Sequence, residues 1–500
     1  MTSTRLTVHA AEPGPVIDRH IFGHFAEHLG RCIYDGLWVG EDSKVPNVRG
    51  WRSDLVAALK QIRIPNLRWP GGCYADDYHW RDGIGPREQR PRRVNAHWGG
   101  VVESNAVGTH EFLDLCEQLG CEPYLAGNVG SGTPRELREW VEYCNASAGT
   151  LAEERAANGR REPWKVRLWG IGNENWGCGG NMTAEQYAAE LRRFSTYTRD
   201  FPGAPLLRVG CGANADDFRW TDVVMRDGAK GPLGGPLIQG LSLHYYTLPG
   251  TWAKKHPATP FDENGWKSVM ALGWKMDAIV RGHRAVMDRY DPAGAVGLVV
   301  DEWGAWYEVE PGTNPGFLYQ QQTVRDAVLA ALTLNIFINH CERVRIANLA
   351  QTVNVLQAVA LTEEGGGRLV LTPTFDVFGL YLPHYDARRL PVHSDAALRQ
   401  HDGLSYPAVS ATASLAADGS VTVTLCNTDG AAPAGITLAL AGRAASLRGA
   451  RVIAAPELTA CNTFDRPRTI DTRDLDGVRV QDGEVSLTLP PGSVASLHFA

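Results

Sequence analysis

Short apolar runs alternate with amphipathic stretches along most of the chain. Eight runs (21–25, 64–69, 122–128, 165–170, 206–211, 238–245, 296–302 and 343–349) read as buried strands. Between them, 51–62, 109–119, 133–146, 183–199, 217–227, 266–290 and 318–338 carry apolar residues at helical spacing. Two helix starts are marked chemically. Thr183, with Gln186 three residues later, forms a capping box, and Thr133-Pro-Arg-Glu136 combines an N-cap hydroxyl with proline at the first helical position. Eight strands alternating with seven helices predict an α/β fold, a closed (β/α)8 barrel. An open doubly wound sheet would need a glycine-rich phosphate turn after an early strand. The nearest lookalike, Gly210-Cys-Gly-Ala-Asn-Ala215, comes late and lacks the third glycine.

Beyond about residue 385 the period changes to two. Ser420–Asn427, Gly435–Leu440 and Glu484–Leu489 alternate apolar with polar residues, with turn residues between them. This predicts a C-terminal antiparallel β-sandwich, jelly-roll-like. Residues 4–10 form a strand with no place in the barrel order, so it is expected to join the sandwich. The expected domains are 18–385 for the barrel and 1–17 plus 386–500 for the sandwich. Gly365-Gly-Gly367 is expected to turn a hairpin.

Composition narrows the function classes. The 500 residues carry a formal charge of −7, which argues against a nucleic-acid or anionic-membrane surface. No apolar run is long enough to span a bilayer, and the N-terminal residues lack the pattern of a signal peptide. A cytoplasmic location is therefore expected. The ten cysteines include no C-x-x-C pair and are expected to be free thiols. No metal and no cofactor is expected. His24-x-x-x-His28 has ligand-like spacing but lies at a strand end, where four residues do not make one face, so His24 reads as a core or supporting residue. Fifteen tryptophans is a high count; some belong to the core, an excess in loops would suit stacking on sugar faces, and Trp98 is either such a platform or a loop-packing residue.

The chemistry lies at strand exits. Glu174, with Asn173 before it and Trp176 after it, follows the fourth strand, and Asp301-Glu302 ends the seventh. Strand ends are where barrel enzymes place catalytic groups. Two carboxylates three strands apart on a ring of eight can flank a glycosidic bond, one donating a proton and the other attacking or activating water. Because side chains alternate along a strand, only one of Asp301 and Glu302 is expected to face the mouth. Asp76 and Asp77 either line that mouth or belong to a solvated loop. The run Arg87–Arg93 reads as a salt-bridged loop.

Six motifs make the resemblance specific. They are Ile21-Phe-Gly-His-Phe-Ala-Glu-His28, Leu67-Arg-Trp-Pro-Gly-Gly-Cys73, Gly172-Asn-Glu-Asn-Trp-Gly177, Ser242-Leu-His-Tyr-Tyr246, Asp301-Glu-Trp-Gly304 and Ala347-Asn-Leu-Ala-Gln351. In this order and near this spacing, the chain resembles the family 51 glycoside hydrolases, the α-L-arabinofuranosidases. The resemblance implies Glu174 as acid/base and Glu302 as nucleophile of an exo-acting, retaining enzyme. It implies that Asn173 contacts the sugar 2-hydroxyl, that Arg68 and Tyr246 hold the nucleophile with His244 nearby, and that Glu27, Cys73 and Gln351 hold furanose hydroxyls. A homo-oligomer, often a hexamer, acting on arabino-oligosaccharides or arabinoxylan fragments is implied too. The alternatives are a β-xylosidase or dual-specificity enzyme, since the loop after the second strand departs from the commoner family pattern, and a non-catalytic sugar-binding protein.

Overall fold

The computed structural model describes residues 2–500. Eight parallel strands close into a barrel in chain order: Gly23–Phe25, Asn66–Trp69, Glu122–Gly127, Leu168–Ile171, Leu207–Asn214, Gly240–Thr247, Gly297–Ala305 and Val344–Ala350. Each lies within a few residues of the expected run. The first is short because Arg19–Phe22 coil into a 3-10 turn capped by Asp18. The fifth is long and absorbs Gly210–Asn214, so that run is no phosphate turn. Its glycine serves packing instead: a Cβ on Gly212 would lie 1.5 Å from the Ser242 carbonyl oxygen of the next strand.

The seven expected helices form around the barrel, and Thr183 and Gln186 make the reciprocal capping bonds their spacing implies. Two further helices, Thr150–Ala157 and Pro373–Tyr381, escaped the pattern. The first is short and polar. The second is apolar almost all round, so it has no amphipathic period to read.

The C-terminal strands form two sheets. One runs Val392–Ser394, Thr2–His9, Ala434–Ala441, Glu484–Leu489, Arg479–Gln481; the other runs Arg388–Leu390, Val409–Leu415, Val421–Asn427, Ser493–Phe499, Leu447–Ile453, Thr472–Asp474. Leu6 and Val8 of the first strand pack with Val423, Leu425, Ile436, Leu438, Leu487 and Leu497 in one apolar core. The N-terminal strand does join this domain, parallel to Ala434–Ala441. The turn at 365–367 lies between the paired strands Ala360–Thr362 and Leu369–Leu371. Helix Val324–Asn339 is buried on every side, lying between the barrel and the second sheet. Its polar Asn335 is satisfied there by Ser410 and Tyr381. Among the described residues no helix is long and apolar enough to cross a membrane.

Candidate active site

The strand exits converge on one buried charge cluster. Arg68, 1% exposed, leaves the second strand and reaches across the barrel. Its guanidinium donates to Glu302 Oε1 (2.8 Å) and Asn173 Oδ1 (2.6 Å), and its Nε lies 3.6 Å from Asp301 Oδ2. The ring of Phe25 lies beneath it at 4.6 Å. Tyr246 donates to the other oxygen of Glu302 at 2.7 Å, so both oxygens of that carboxylate are held.

Contrary to strict alternation, Asp301 and Glu302 both belong to this cluster. The strand carries an irregularity here. Ser242 pairs with Val299 but His244 with Glu302, so the seventh strand advances three residues while its neighbour advances two. The same extra residue shows on the other edge, between the pairs Val300–Ala347 and Trp303–Leu349. A bulge of this kind re-aims a side chain, and it brings Asp301 onto His244 Nε2 (2.9 Å) and Tyr124 Oη (2.7 Å).

His244 joins the acids. Its Nδ1 lies 2.8 Å from Glu174 Oε1 and 3.5 Å from Glu302 Oε2. Burial opposes its charge, but the field of Glu302 and the hydrogen bonds to Asp301 and Glu174 outweigh it, and its pKa rises to about 10. His244 is therefore an imidazolium that donates from both nitrogens. One oxygen of Glu174 and one of Glu302 lie within 4.8 Å of each other beside it.

Glu174 sits just beyond the fourth strand with φ of 41°, in the left-handed region, after Gly172 at φ 88°. Its side chain is 18% exposed, so it is open to solvent where most of the cluster is not. Burial and the charge of Glu302 raise its pKa above the ordinary carboxylate value, against the opposing pull of His244. The loop that carries it is fixed by Asp76. That carboxylate accepts from the backbone N–H of Asn173 (3.0 Å), Val129 (2.9 Å) and Gly130 (2.8 Å), tying together the loops after the second, third and fourth strands. Of the two alternatives for Asp76 and Asp77, Asp76 is buried in the frame of the mouth while Asp77 is exposed.

A second group lies alongside. Glu27 accepts from Trp98 Nε1 (2.8 Å) and the Tyr74 N–H (3.1 Å), and its other oxygen from Gln351 Nε2 (3.0 Å). Burial, then the charge of Glu302, raises its pKa to about 7. Gly72 allows the approach, since a Cβ there would lie 2.9 Å from the carboxylate.

One expectation fails at the cysteines. Cys73 and Cys178 form a disulfide, so Cys73 has no thiol to offer a sugar. Local spacing could not reveal the pair, because barrel closure brings together residues 105 apart in sequence. The bridge joins the loops after the second and fourth strands, with Cys178 Sγ 3.5 Å from Glu174 Oε2. The other eight cysteines are free.

Two clusters have the proximity of metal ligands, Cys73–Glu174–Cys178 and Glu174–His244–Glu302. In the first, the sulfurs are bonded to each other. In the second, His244 would have to give up the proton it shares with Glu174 before it could bind a metal. The His24–His28 pair also separates: His24 packs on Phe378 (4.6 Å), and His28 accepts from Trp69 and contacts Glu103. Arg87, Arg90 and Arg93 are salt-bridged to Glu41, Glu111 and Asp82.

Sequence reasoning assigned no role to Tyr124, and none to Asp76 beyond the two alternatives. Tyr124 lies in mid-strand, where nothing in the sequence separates it from core tyrosines.

Comparison with known proteins adds independent findings. Residues 58–213 match the model of the α-L-arabinofuranosidase 1 domain, and residues 301–493 match that of the α-L-arabinofuranosidase C-terminal domain. The chain is 44% identical to the intracellular exo-α-L-arabinofuranosidase of Bacteroides ovatus, over 99% of this chain and 96% of that protein. It is 31% identical to α-L-arabinofuranosidase C of Emericella nidulans, with 84% of each chain covered. A solved GH51 arabinofuranosidase from Xanthomonas axonopodis pv. citri superposes with a TM-score of 0.97, at 46% identity and full coverage of both chains. The arabinose complex of the Thermotoga maritima enzyme gives 0.86 at 29% identity, covering 99% of each.

Two outcomes are expected from this geometry. Because Glu27 titrates near 7 and holds the Trp98 indole, Trp98 emission changes through a transition near pH 7 that Glu27→Gln abolishes; a flat profile in the parent protein would contradict the assignment. Denatured without reductant, the protein gives eight reactive thiols, as the free cysteines require, and ten after reduction. Reducing a bridge that closes so long a loop costs stability on the order of 2–4 kcal/mol, visible as a lower melting temperature.

Proposed function

The chain belongs to the family 51 glycoside hydrolases, the α-L-arabinofuranosidases, and from that premise we propose that it releases terminal arabinofuranose from arabino-oligosaccharides or arabinoxylan fragments with retention of configuration. The observation that carries this reading is the spacing of the two carboxylates. Oxygens of Glu174 and Glu302 approach within 4.8 Å. Retaining enzymes hold their carboxyl groups about 5–5.5 Å apart, whereas inverting ones leave about 6.5–9.5 Å for a water.

In the first step Glu302 attacks the anomeric carbon while Glu174 gives its proton to the departing glycosidic oxygen. The C–O bond breaks, and an arabinofuranosyl ester of Glu302 forms. Arg68 and Tyr246 orient Glu302 and offset its charge before attack. As Glu174 becomes anionic, the His244 imidazolium 2.8 Å away stabilises it. In the second step Glu174 takes a proton from water, whose oxygen attacks the same carbon and frees Glu302. Glu27 and Gln351 hold ring hydroxyls, Asn173 the 2-hydroxyl, and Trp98, its N–H given to Glu27, offers its ring face, while the Cys73 side chain offers only its half of the disulfide.

The proposal also sets this action in the cytoplasm, on short imported oligosaccharides, in keeping with the name of the Bacteroides ovatus relative. A homo-oligomer, hexameric by resemblance, is part of it, and light scattering that returned a monomer would remove that part.

The assay uses 4-nitrophenyl α-L-arabinofuranoside beside 4-nitrophenyl β-D-xylopyranoside. Arabinofuranoside turnover is expected to dominate, and comparable rates would instead mark a dual-specificity enzyme. Glu302→Ala is expected to lower kcat by at least about 10³-fold. Glu174→Ala loses about 10²–10⁴-fold on poor leaving groups, keeps more activity on activated ones, and recovers rate with azide. The alkaline limb of kcat/KM, which reports loss of the Glu174 proton, lies above the ordinary carboxylate range and disappears in that variant. Release of the inverted anomer, followed by NMR, would overturn the double-displacement reading.

A further inference from the structure

The rim beside Tyr246 carries a cation that the mechanism leaves unused. Tyr246, on the nucleophile, meets Trp306 edge to face with ring centroids 5.0 Å apart, and Trp306 meets Trp252 in the same way at 5.1 Å. This aromatic row runs outward from the carboxylate, and Trp252 is 66% exposed. Lys255, in the same loop, places its ammonium 5.6 Å from the Trp252 ring centre and 5.8 Å from that of Trp306. One of its three N–H donors goes to the Trp252 carbonyl oxygen at 2.9 Å. Among the described residues Lys255 enters no salt bridge, unlike most of the arginines of this protein, and Lys254 beside it enters none either.

We propose that Lys255, set against Trp252 and Trp306, reads a carboxylate on the leaving oligosaccharide, so that the enzyme favours arabinofuranosides whose leaving chain carries a uronic acid. The inference rests on the arabinofuranosidase reading and specifies its leaving-group side. The exposed indole of Trp252 offers a flat apolar face to a sugar ring and accepts any pyranose. A neutral sugar gives the ammonium only hydroxyls, which water replaces at little cost. A uronate gives it a charge-assisted hydrogen bond, roughly twice as strong as a neutral one. The carbonyl and the two rings restrict the lysine before ligand arrives, which lowers the entropy lost when the anion binds. Two donors remain free to meet a carboxylate. In a chain with net charge −7, an uncompensated cation at the mouth also draws an acidic substrate locally against the overall repulsion.

The test compares kcat/KM on two substrates that differ only in the leaving chain: an arabinofuranosyl xylo-oligosaccharide and the same compound bearing glucuronic acid. The parent enzyme is expected to favour the acidic substrate about three- to tenfold at low salt, with the preference shrinking as ionic strength rises. Lys255→Met keeps the stem on the indoles and is expected to bring the ratio near one. Lys255→Arg is expected to retain the preference. Trp252→Ala is expected to weaken both substrates together. Equal kcat/KM for the two substrates in the parent enzyme, or a ratio unmoved by Lys255→Met in protein of unchanged melting temperature, would overturn the proposal and make Lys255 a brace for its loop. Failure of the parent enzyme on 4-nitrophenyl α-L-arabinofuranoside would instead count against the function itself, so the two failures are separable.

Discussion

The Arg68 guanidinium is the interaction on which the site depends. Four carboxylates, Glu27, Glu174, Asp301 and Glu302, crowd the barrel mouth with little solvent to separate them. Arg68 and the His244 imidazolium are the cations set among them. Like charges this close would otherwise force protons onto several of the acids. Arg68 spans two of the carboxylates and the amide of Asn173, so one side chain sets charge balance and geometry together. Removing one partner of a buried ion pair leaves the rest uncompensated, a loss of about 3–5 kcal/mol. The charge pattern also divides the labour. Glu174, which His244 holds at the solvent edge, keeps a raised proton affinity, while Glu302 is gripped on both oxygens by Arg68 and Tyr246.

Around that cluster the backbone departs from regularity in specific places. The extra residue in the seventh strand turns Asp301 and Glu302 toward a common partner. Glycine at 72 lets one loop close on Glu27, and Asp76 collects three N–H groups from two neighbouring loops. The disulfide then ties the loop of Glu174 to the loop after Arg68. Regular strands position the site to within a residue or two, and these departures set its final geometry.

The same division explains what could be read from the sequence. Strands and helices have periods, so the barrel, its order and the sandwich were legible, along with the caps at Thr133 and Thr183. That Glu174 and Glu302 would meet at the mouth was legible because they follow or end apolar runs at strand exits. The bulge could not, since a single inserted residue leaves the pattern of Val299–Trp303 looking like any buried strand. Asp76 looked like a loop acid because its partners are backbone N–H groups with no sequence signature. Cys73 and Cys178 are paired by closure of the barrel, a long-range event that no local window contains.

The left-handed backbone at Glu174 has a consequence of its own. At φ 41° a side chain with a Cβ is held where glycine would rest without strain, at a cost of order 1–2 kcal/mol. Under the mechanism proposed above, the residue that transfers the proton is thus held in a strained conformation, and a glycine there would ease the backbone while removing the carboxylate. Under that proposal, selection for a sturdier protein and selection for a working one pull in opposite directions at this position.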